Sequence, residues 1–203
     1  MNKAKLIIIS SPSGAGKTSI SRALVKSSEN YRLSISATTR EKRPNETEAL
    51  DYFFKTEEQF HYMIRANEFL EHATVFGNSY GTPKDYISQQ LVKNINVVLD
   101  IDWQGANLLR AQKDYQSFSI YILPPSISAL RKRLETRAMD SVGVIDKRME
   151  KAKSEIGHYH EYDHVVINDD FDKTLQQVIE VIEGRQNVVA PKFFDDFVKE
   201  LLL

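Results

Sequence analysis

Cysteine does not occur among the 203 residues. Its absence removes disulfides, thiolate catalysis and thiolate metal sites together, and suits a reducing compartment. Long apolar runs are missing as well, and no segment nears the roughly 20 residues that span a bilayer. The run Leu6-Ile7-Ile8-Ile9 is far shorter than the core of an export signal and gives way to a glycine-rich turn. A soluble, cytoplasmic protein is expected. An excess of charge of one sign is lacking too: 27 Lys and Arg stand against 28 Asp and Glu, a formal charge of -1. That balance argues against a broad electrostatic footprint, so neither nucleic acid nor a membrane is expected as a partner. An anionic ligand must then be held by a local cluster of donors. There is no internal repeat and no low-complexity segment.

What is present is ordinary globular material, 41% hydrophobic and 27% charged, which excludes wholesale disorder. The length suits one domain with inserted lobes. Residues 5–10 (KLIIIS) read as a buried strand entering a turn, and residues 17–27 carry Ile20, Leu24 and Val25 at helical spacing. Three more apolar runs, 97–101, 119–123 and 165–168, read as interior strands. Helical stretches at 104–112, 126–137, 144–156 and 173–187 alternate with them. That alternation predicts an α/β fold, a parallel sheet flanked by helices. From residue 31 to about 90 the rhythm breaks into a polar segment rich in Thr, Arg, Glu and aromatics, which predicts an inserted lobe. The tail 190–203 (APKFFDDFVKELLL) predicts an amphipathic helix beyond Pro191, docked on its own domain or used as a subunit contact in a homodimer.

Ser11-Pro12-Ser13-Gly14-Ala15-Gly16-Lys17-Thr18 fits the phosphate-binding pattern G-x-x-x-x-G-K-[ST] except at Ser11, which replaces the first glycine. It lies between a predicted strand and a predicted helix. Backbone N–H groups and the positive helix end can there converge on phosphate oxygens. Gly14 and Gly16 permit the dihedrals, Lys17 supplies a mobile cation, and Thr18 offers a hydroxyl to Mg²⁺. If the first glycine of the pattern served a positive φ, Ser11 would be strained. In VVLDID, Asp100 and Asp102 lie two apart and so on one side of an extended chain, at a strand end where α/β sheets gather ligands. Asp102 equally suits the cap of the helix that follows.

In the inserted segment Arg40 and Arg43 follow a hydroxyl-rich stretch, Tyr52 and Tyr80 add phenols, and Glu71 stands among polar neighbours. Arginine forks and phenols suit a phosphate monoester, and a carboxylate among hydroxyls suits a polar base. Arg133 and Arg137 share a helix face four residues apart, which by itself reads as a solvated basic surface before it reads as a site.

PSGAGK, S-x-S-x-T-T-R, D-Y-x-F, F-x-E-x-A, G-N-x-Y-G-T, LDIDWQG and V-I-N-D-D occur in this order from Leu6 to about Asn187. In these motifs the chain resembles guanylate kinases, P-loop nucleoside monophosphate kinases of purine metabolism. The resemblance implies reversible transfer of the ATP γ-phosphate to GMP with Mg²⁺ as cofactor. It implies a core of about 1–33, 91–130 and 157–203, a GMP-binding lobe of about 34–90, and a small helical lid of about 131–156.

By the same resemblance, residues 11–18 and Asn168 hold ATP, Asn168 at adenine. Arg40, Arg43, Tyr52 and Tyr80 hold the GMP phosphate, while Ser36, Glu71 and Thr82 read guanine. Asp100 lies near the acceptor base or the metal shell, a choice left open. Lys17, Arg40, Arg133, Arg137 and Arg148 serve catalysis. Where the family writes T-T-R-x-P-R-x-G-E, this chain has Lys42 at the proline and Asn45 at the glycine, and Ala138 replaces a lid glycine. Two rival readings are a non-catalytic module of the same fold that binds a phosphopeptide, and a kinase for another monophosphate. The intact Gly14, Gly16, Lys17 and Thr18 oppose the first, and Glu71 with Ser36 and Thr82 opposes the second.

Overall fold

The computed structural model describes residues 4–75, 77–112, 114–136 and 142–203. Its centre is β1 (Leu6–Ser10), five residues with no exposed side chain. β-Branched residues on both faces suit a strand covered on both sides. β1 is the middle of a five-stranded sheet with β2 (Tyr31–Leu33), β7 (Asn96–Asp100), β8 (Ser117–Leu123) and β9 (His164–Ile167), in the order β2-β7-β1-β8-β9. Every pairing in it is parallel. The pleat sorts side chains into two cores. Leu6, Ile8, Leu99, Leu123 and Val165 face one side, and Ile7, Ile9, Val98, Ile122 and Val166 the other.

Helices α1 (Lys17–Ser27) and α7 (Phe171–Ile182) cover the second side with Ile20, Leu24, Val178 and Val181. α3 (Lys84–Val92), α4 (Trp103–Arg110) and α8 (Asp195–Leu202) cover the first with Ile87, Leu109, Val198 and Leu201. The tail thus docks on its own domain, the first of the two placements its amphipathic pattern allowed. Pro191 opens a 3₁₀ turn, Pro191–Phe194, ahead of α8.

The inserted segment is a second, four-stranded sheet in the order β4-β3-β6-β5: β3 (Ala37–Thr38), β4 (Phe53–Phe54), β5 (Phe69–Val75) and β6 (Asn78–Pro83). α2 (Glu57–Arg65) lies between β4 and β5 in the chain. It starts at a capping box in which Thr56 and Gln59 exchange bonds. Phe60 stacks on Phe69 at 4.6 Å, and both pack with Ala37. This sheet ends at Pro83. α3, which starts inside the 34–90 range expected for the lobe, instead packs on the main sheet, with Ile87 fully buried in the same cluster as Leu99. A fourth cluster ties α5 (Ile127–Thr136) and α6 (Val142–Ile156) to the loop after β1 through Leu130, Leu134, Ile145, Met149 and Ala15.

Candidate functional site

The strand order places β1 between β7 and β8, so the chain leaves β1 where neighbouring connections diverge to opposite faces. That is where open α/β sheets bind ligands. Ile9 pairs with Asp100, and Ser10 Oγ donates to Ile101 O at 2.8 Å. The loop after β1 and the D-I-D stretch after β7 therefore emerge side by side.

Gly14 and Gly16 have φ of +91° and +106°, a region costly for any residue with a Cβ. Space excludes a Cβ as well: at Gly14 it would stand 2.9 Å from Leu134 Cδ2, and at Gly16 it would run into the Asn168 amide. Ser11 has no positive φ, so the serine causes no strain, and its hydroxyl donates to Pro12 O at 2.9 Å. No side chain caps the start of α1, which leaves that positive helix end open to an anion.

Two cavities meet at Lys17. One, of about 200 Å³, is lined by Lys17, Ser36, Tyr52, Glu71, Tyr80 and Asp100. The other, of about 190 Å³, runs along residues 11–14 and 16–18 to Arg148 and Glu155. Lys17, Val75 and Asp102 line both. Lys17 Nζ lies 2.6 Å from Asp100 Oδ1. Burial draws the lysine pKa down, but the Asp100 carboxylate outweighs it and the net shift is upward, so Lys17 stays charged. A wider cavity of about 510 Å³ opens on the far side of the loop, lined in part by Gly14, Gly16, Arg133, Asn168 and Phe171.

Glu71, on β5, is 6% exposed and accepts from Thr82 Oγ1 at 2.5 Å. Burial lifts its pKa from 4.5 to about 7, against the Thr82 hydrogen bond and with help from nearby Asp102. Its other oxygen lies where a Cβ at Gly105 would come within 2.5 Å, so glycine at that position of α4 makes room for the carboxylate. Arg40 does not line the first of these cavities. It lies beside it over the Tyr52 ring, 5.4 Å from the centroid, and its Nη2 is 2.6 Å from Glu46 Oε1. Glu46 also accepts from the Arg43 backbone at 2.9 Å, while the Arg43 side chain is exposed. Tyr52 and Tyr80 meet edge to face at 6.1 Å.

At the wider cavity, Arg133 Nη2 donates to Asn168 O at 2.7 Å, and Asn168 Nδ2 donates to Ala15 O at 2.8 Å. Asn168, expected at adenine, here fastens the phosphate loop. Arg148 reaches Ser13 Oγ at 3.0 Å. Thr18 is exposed at the phosphate cavity. Arg137 and Ala138 lie outside the described residues. Asp102 caps α4 by accepting from Gly105 N at 3.1 Å, so capping and cleft lining coincide in one side chain. Lys42 and Asn45 are exposed without positive φ; in that loop the left-handed conformation falls at Ala49, φ 60°.

The sequence motifs contain Glu46, which closes T-T-R-x-P-R-x-G-E, and Gly105, which closes LDIDWQG, but give neither a role; Glu155 carries no local signal.

A profile of the family described as guanylate kinase matches residues 3–185. Guanylate kinase of Rickettsia bellii (strain RML369-C) is 48% identical over 181 residues, 89% of this chain and 94% of that protein. That of Coxiella burnetii (strain RSA 493 / Nine Mile phase I) is 48% identical over 204 residues, covering 100% of this chain and 98% of the other. The crystal structure of guanylate kinase from Anaplasma phagocytophilum superposes with a TM-score of 0.74 at 32% identity, over 92% of this chain and 88% of that one. With the profile matched over residues 3–185 and relatives matched along nearly their whole length, on a fold whose glycine-rich loop and carboxylate-bearing cavity meet at Lys17, this chain is a member of the guanylate kinase family.

Proposed function

We infer that the protein catalyses reversible transfer of the γ-phosphoryl group of ATP to GMP, giving ADP and GDP. The observation that carries this reading is the meeting of the two cavities at Lys17. The acceptor phosphate and the donor γ-phosphate are there brought to one cation. An oxygen of the GMP phosphate attacks γ-phosphorus in line, a bond to that oxygen forms, and the bond to the bridging oxygen of ADP breaks. The attacking oxygen is already anionic near pH 7, so the protein needs no strong base. It has to position two polyanions and offset their charge.

In this reading the open end of α1 and the amides about Gly14 and Gly16 cradle the donor phosphates. Lys17 bridges β and γ oxygens, and Arg148, Arg133 and Arg137 add charge from the lid. Arg40, Arg43, Tyr52 and Tyr80 take the GMP phosphate. Arg40 exchanges Glu46 for that phosphate as the ligand enters. Ser36 faces guanine O6, Thr82 holds the Glu71 carboxylate from behind through its hydroxyl, and Glu71 accepts from guanine N1–H and the 2-amino group. Adenine has an acceptor at N1 and no 2-amino group, so it would leave a buried carboxylate unpaired.

The residues present fit a magnesium ion carried in with the nucleotide. The Thr18 hydroxyl borders the phosphate cavity, and the described residues hold no group of three or more His, Cys, Asp or Glu that could cage a metal. Bound there, the ion would offset charge on the β and γ oxygens. No helix among the described residues is long and apolar enough to cross a membrane.

A coupled assay with ATP, Mg²⁺ and each of GMP, AMP, CMP and UMP tests the assignment. Turnover is expected with GMP, and equal turnover with AMP would sink the guanine reading. Glu71→Gln is expected to cut kcat/KM for GMP by about 10–100-fold, the loss of a charged acceptor for two donors.

The Glu71 pKa of about 7 in the free protein sets a pH dependence. Guanine needs the carboxylate, so kcat/KM for GMP should fall below pH 7 as the acid form accumulates. The GMP phosphate titrates in the same region, near about 6. The reference is therefore Glu71→Gln, in which only the phosphate term remains; matching profiles in the two proteins would remove Glu71 from the acid limb. The sign for stability is opposite. A carboxyl whose pKa is raised by folding favours the folded state when protonated, so the ligand-free protein should lose stability between about pH 4.5 and 7.

A further inference from the structure

α6 grips the phosphate loop with two side chains seven residues, or two helical turns, apart, and both act on Ser13. Arg148 donates to Ser13 Oγ from Nε at 3.1 Å and from Nη2 at 3.0 Å. Glu155 Oε2 accepts the Ser13 backbone N–H at 3.1 Å. Glu155 is 7% exposed, an unusual place for a carboxylate, and borders the phosphate cavity. Burial pushes its pKa up, while Lys151, 3.6 Å away, and the Ser13 amide oppose that shift. Its own backbone is fixed to the main sheet, because Tyr121 of β8 donates its hydroxyl to Glu155 O at 2.6 Å. Glu155 therefore connects a rigid strand to the first half of the loop, and Arg148 connects the same loop residue to the lid.

We propose that Glu155 is a positioning residue of the donor site. It turns the Ser13 amide away from the ligand and holds the loop in the shape that presents the amides about Gly14 and Gly16. With Ser13 fixed, its hydroxyl orients Arg148, so loop geometry and lid arginine are set together. A buried carboxylate placed against a phosphate cavity opposes anion binding unless it holds something in place, and here it holds the loop. The inference rests on reading the loop as the donor phosphate site.

The test is steady-state kinetics of the full chain with ATP and GMP varied in turn, alongside thermal melting and calorimetric titration of ATP. Glu155→Ala is expected to raise KM for ATP about tenfold and lower kcat by a similar factor, with KM for GMP within about twofold. Glu155→Gln keeps an acceptor oxygen and should recover ATP affinity to within about threefold of the unaltered protein. An unchanged KM for ATP in Glu155→Ala, an equal rise in both KM values, or no recovery in Glu155→Gln would each overturn the proposal. Should Glu155→Ala fail to fold, Glu155→Asp decides: it withdraws the oxygen by one methylene, and a retained melting temperature with unchanged ATP affinity overturns the role. Failure of the unaltered protein to bind ATP would instead sink the donor-site reading itself.

Discussion

Lys17→Ala is expected to lower kcat by about 10³-fold or more, with KM for GMP within about twofold of the parent. Among the described residues Lys17 is the cation that lines both cavities, so it alone can follow charge as it passes from donor to acceptor. Its ammonium is kept charged by Asp100 at 2.6 Å, although burial acts the other way. Once it is gone, the phosphates approach Asp100 with nothing between them, a like-charge contact in a partly dehydrated cleft. Lys17→Arg should not rescue, since a broad guanidinium cannot occupy the place of a compact point charge between a carboxylate and the loop. GMP binding is expected to survive because most of the residues proposed to hold it, Arg40, Tyr52, Glu71 and Tyr80, lie in or beside the second sheet. A coupled assay of ADP formation with calorimetric titration of GMP checks both halves, and turnover within tenfold of the parent would remove Lys17 from the transfer step.

The second large effect falls on the other substrate. Arg40→Ala should reduce kcat/KM for GMP by about 10²-fold, matching the loss of one charge-assisted fork to a phosphate, while KM for ATP barely moves. Arg40 is already ordered in the free protein, stacked over Tyr52 and paired with Glu46, so little side-chain freedom is lost when phosphate replaces the carboxylate. Arg40→Lys should recover only part of the loss, for an ammonium keeps the charge without the planar fork. Equal kcat/KM for GMP in Arg40→Ala and the parent would move the phosphate subsite elsewhere.

The main sheet was legible because its strands are apolar on both faces and its helices are long enough to repeat. Residues 17–27 match α1 in full, and the four main-sheet strands expected, β1, β7, β8 and β9, differ by a residue or two at their ends. The inserted sheet was not legible. Its strands β3 and β4 have two residues each, too few to show a period, and they are built of Ala, Thr and Phe that read equally as loop. β2 suffered the same fate at three residues, although Tyr31 is buried. α2 did leave a trace, the Thr56 and Gln59 pair three apart, which is a start signal independent of period. The tail pattern was legible as amphipathic, but its partner was not, since an apolar stripe does not name the surface that covers it.

The same division holds in the site. Gly14, Gly16, Lys17 and Thr18 were legible because a phosphate loop is local: its dihedrals, amides and cation lie within eight residues. Glu155 was invisible because its meaning comes from Ser13, 142 positions away. The sequence by itself determined which chemistry is available, a phosphate loop, arginine forks and a carboxylate suited to guanine, since residue type and short-range spacing are fixed by covalent connectivity. Only the tertiary structure decided which of 27 cations meet which of 28 anions. In a chain so nearly neutral, those pairings depend on how two sheets and a helical lid pack, and packing brought Lys17 to Asp100, Arg40 beside Tyr52, and Glu155 to the loop.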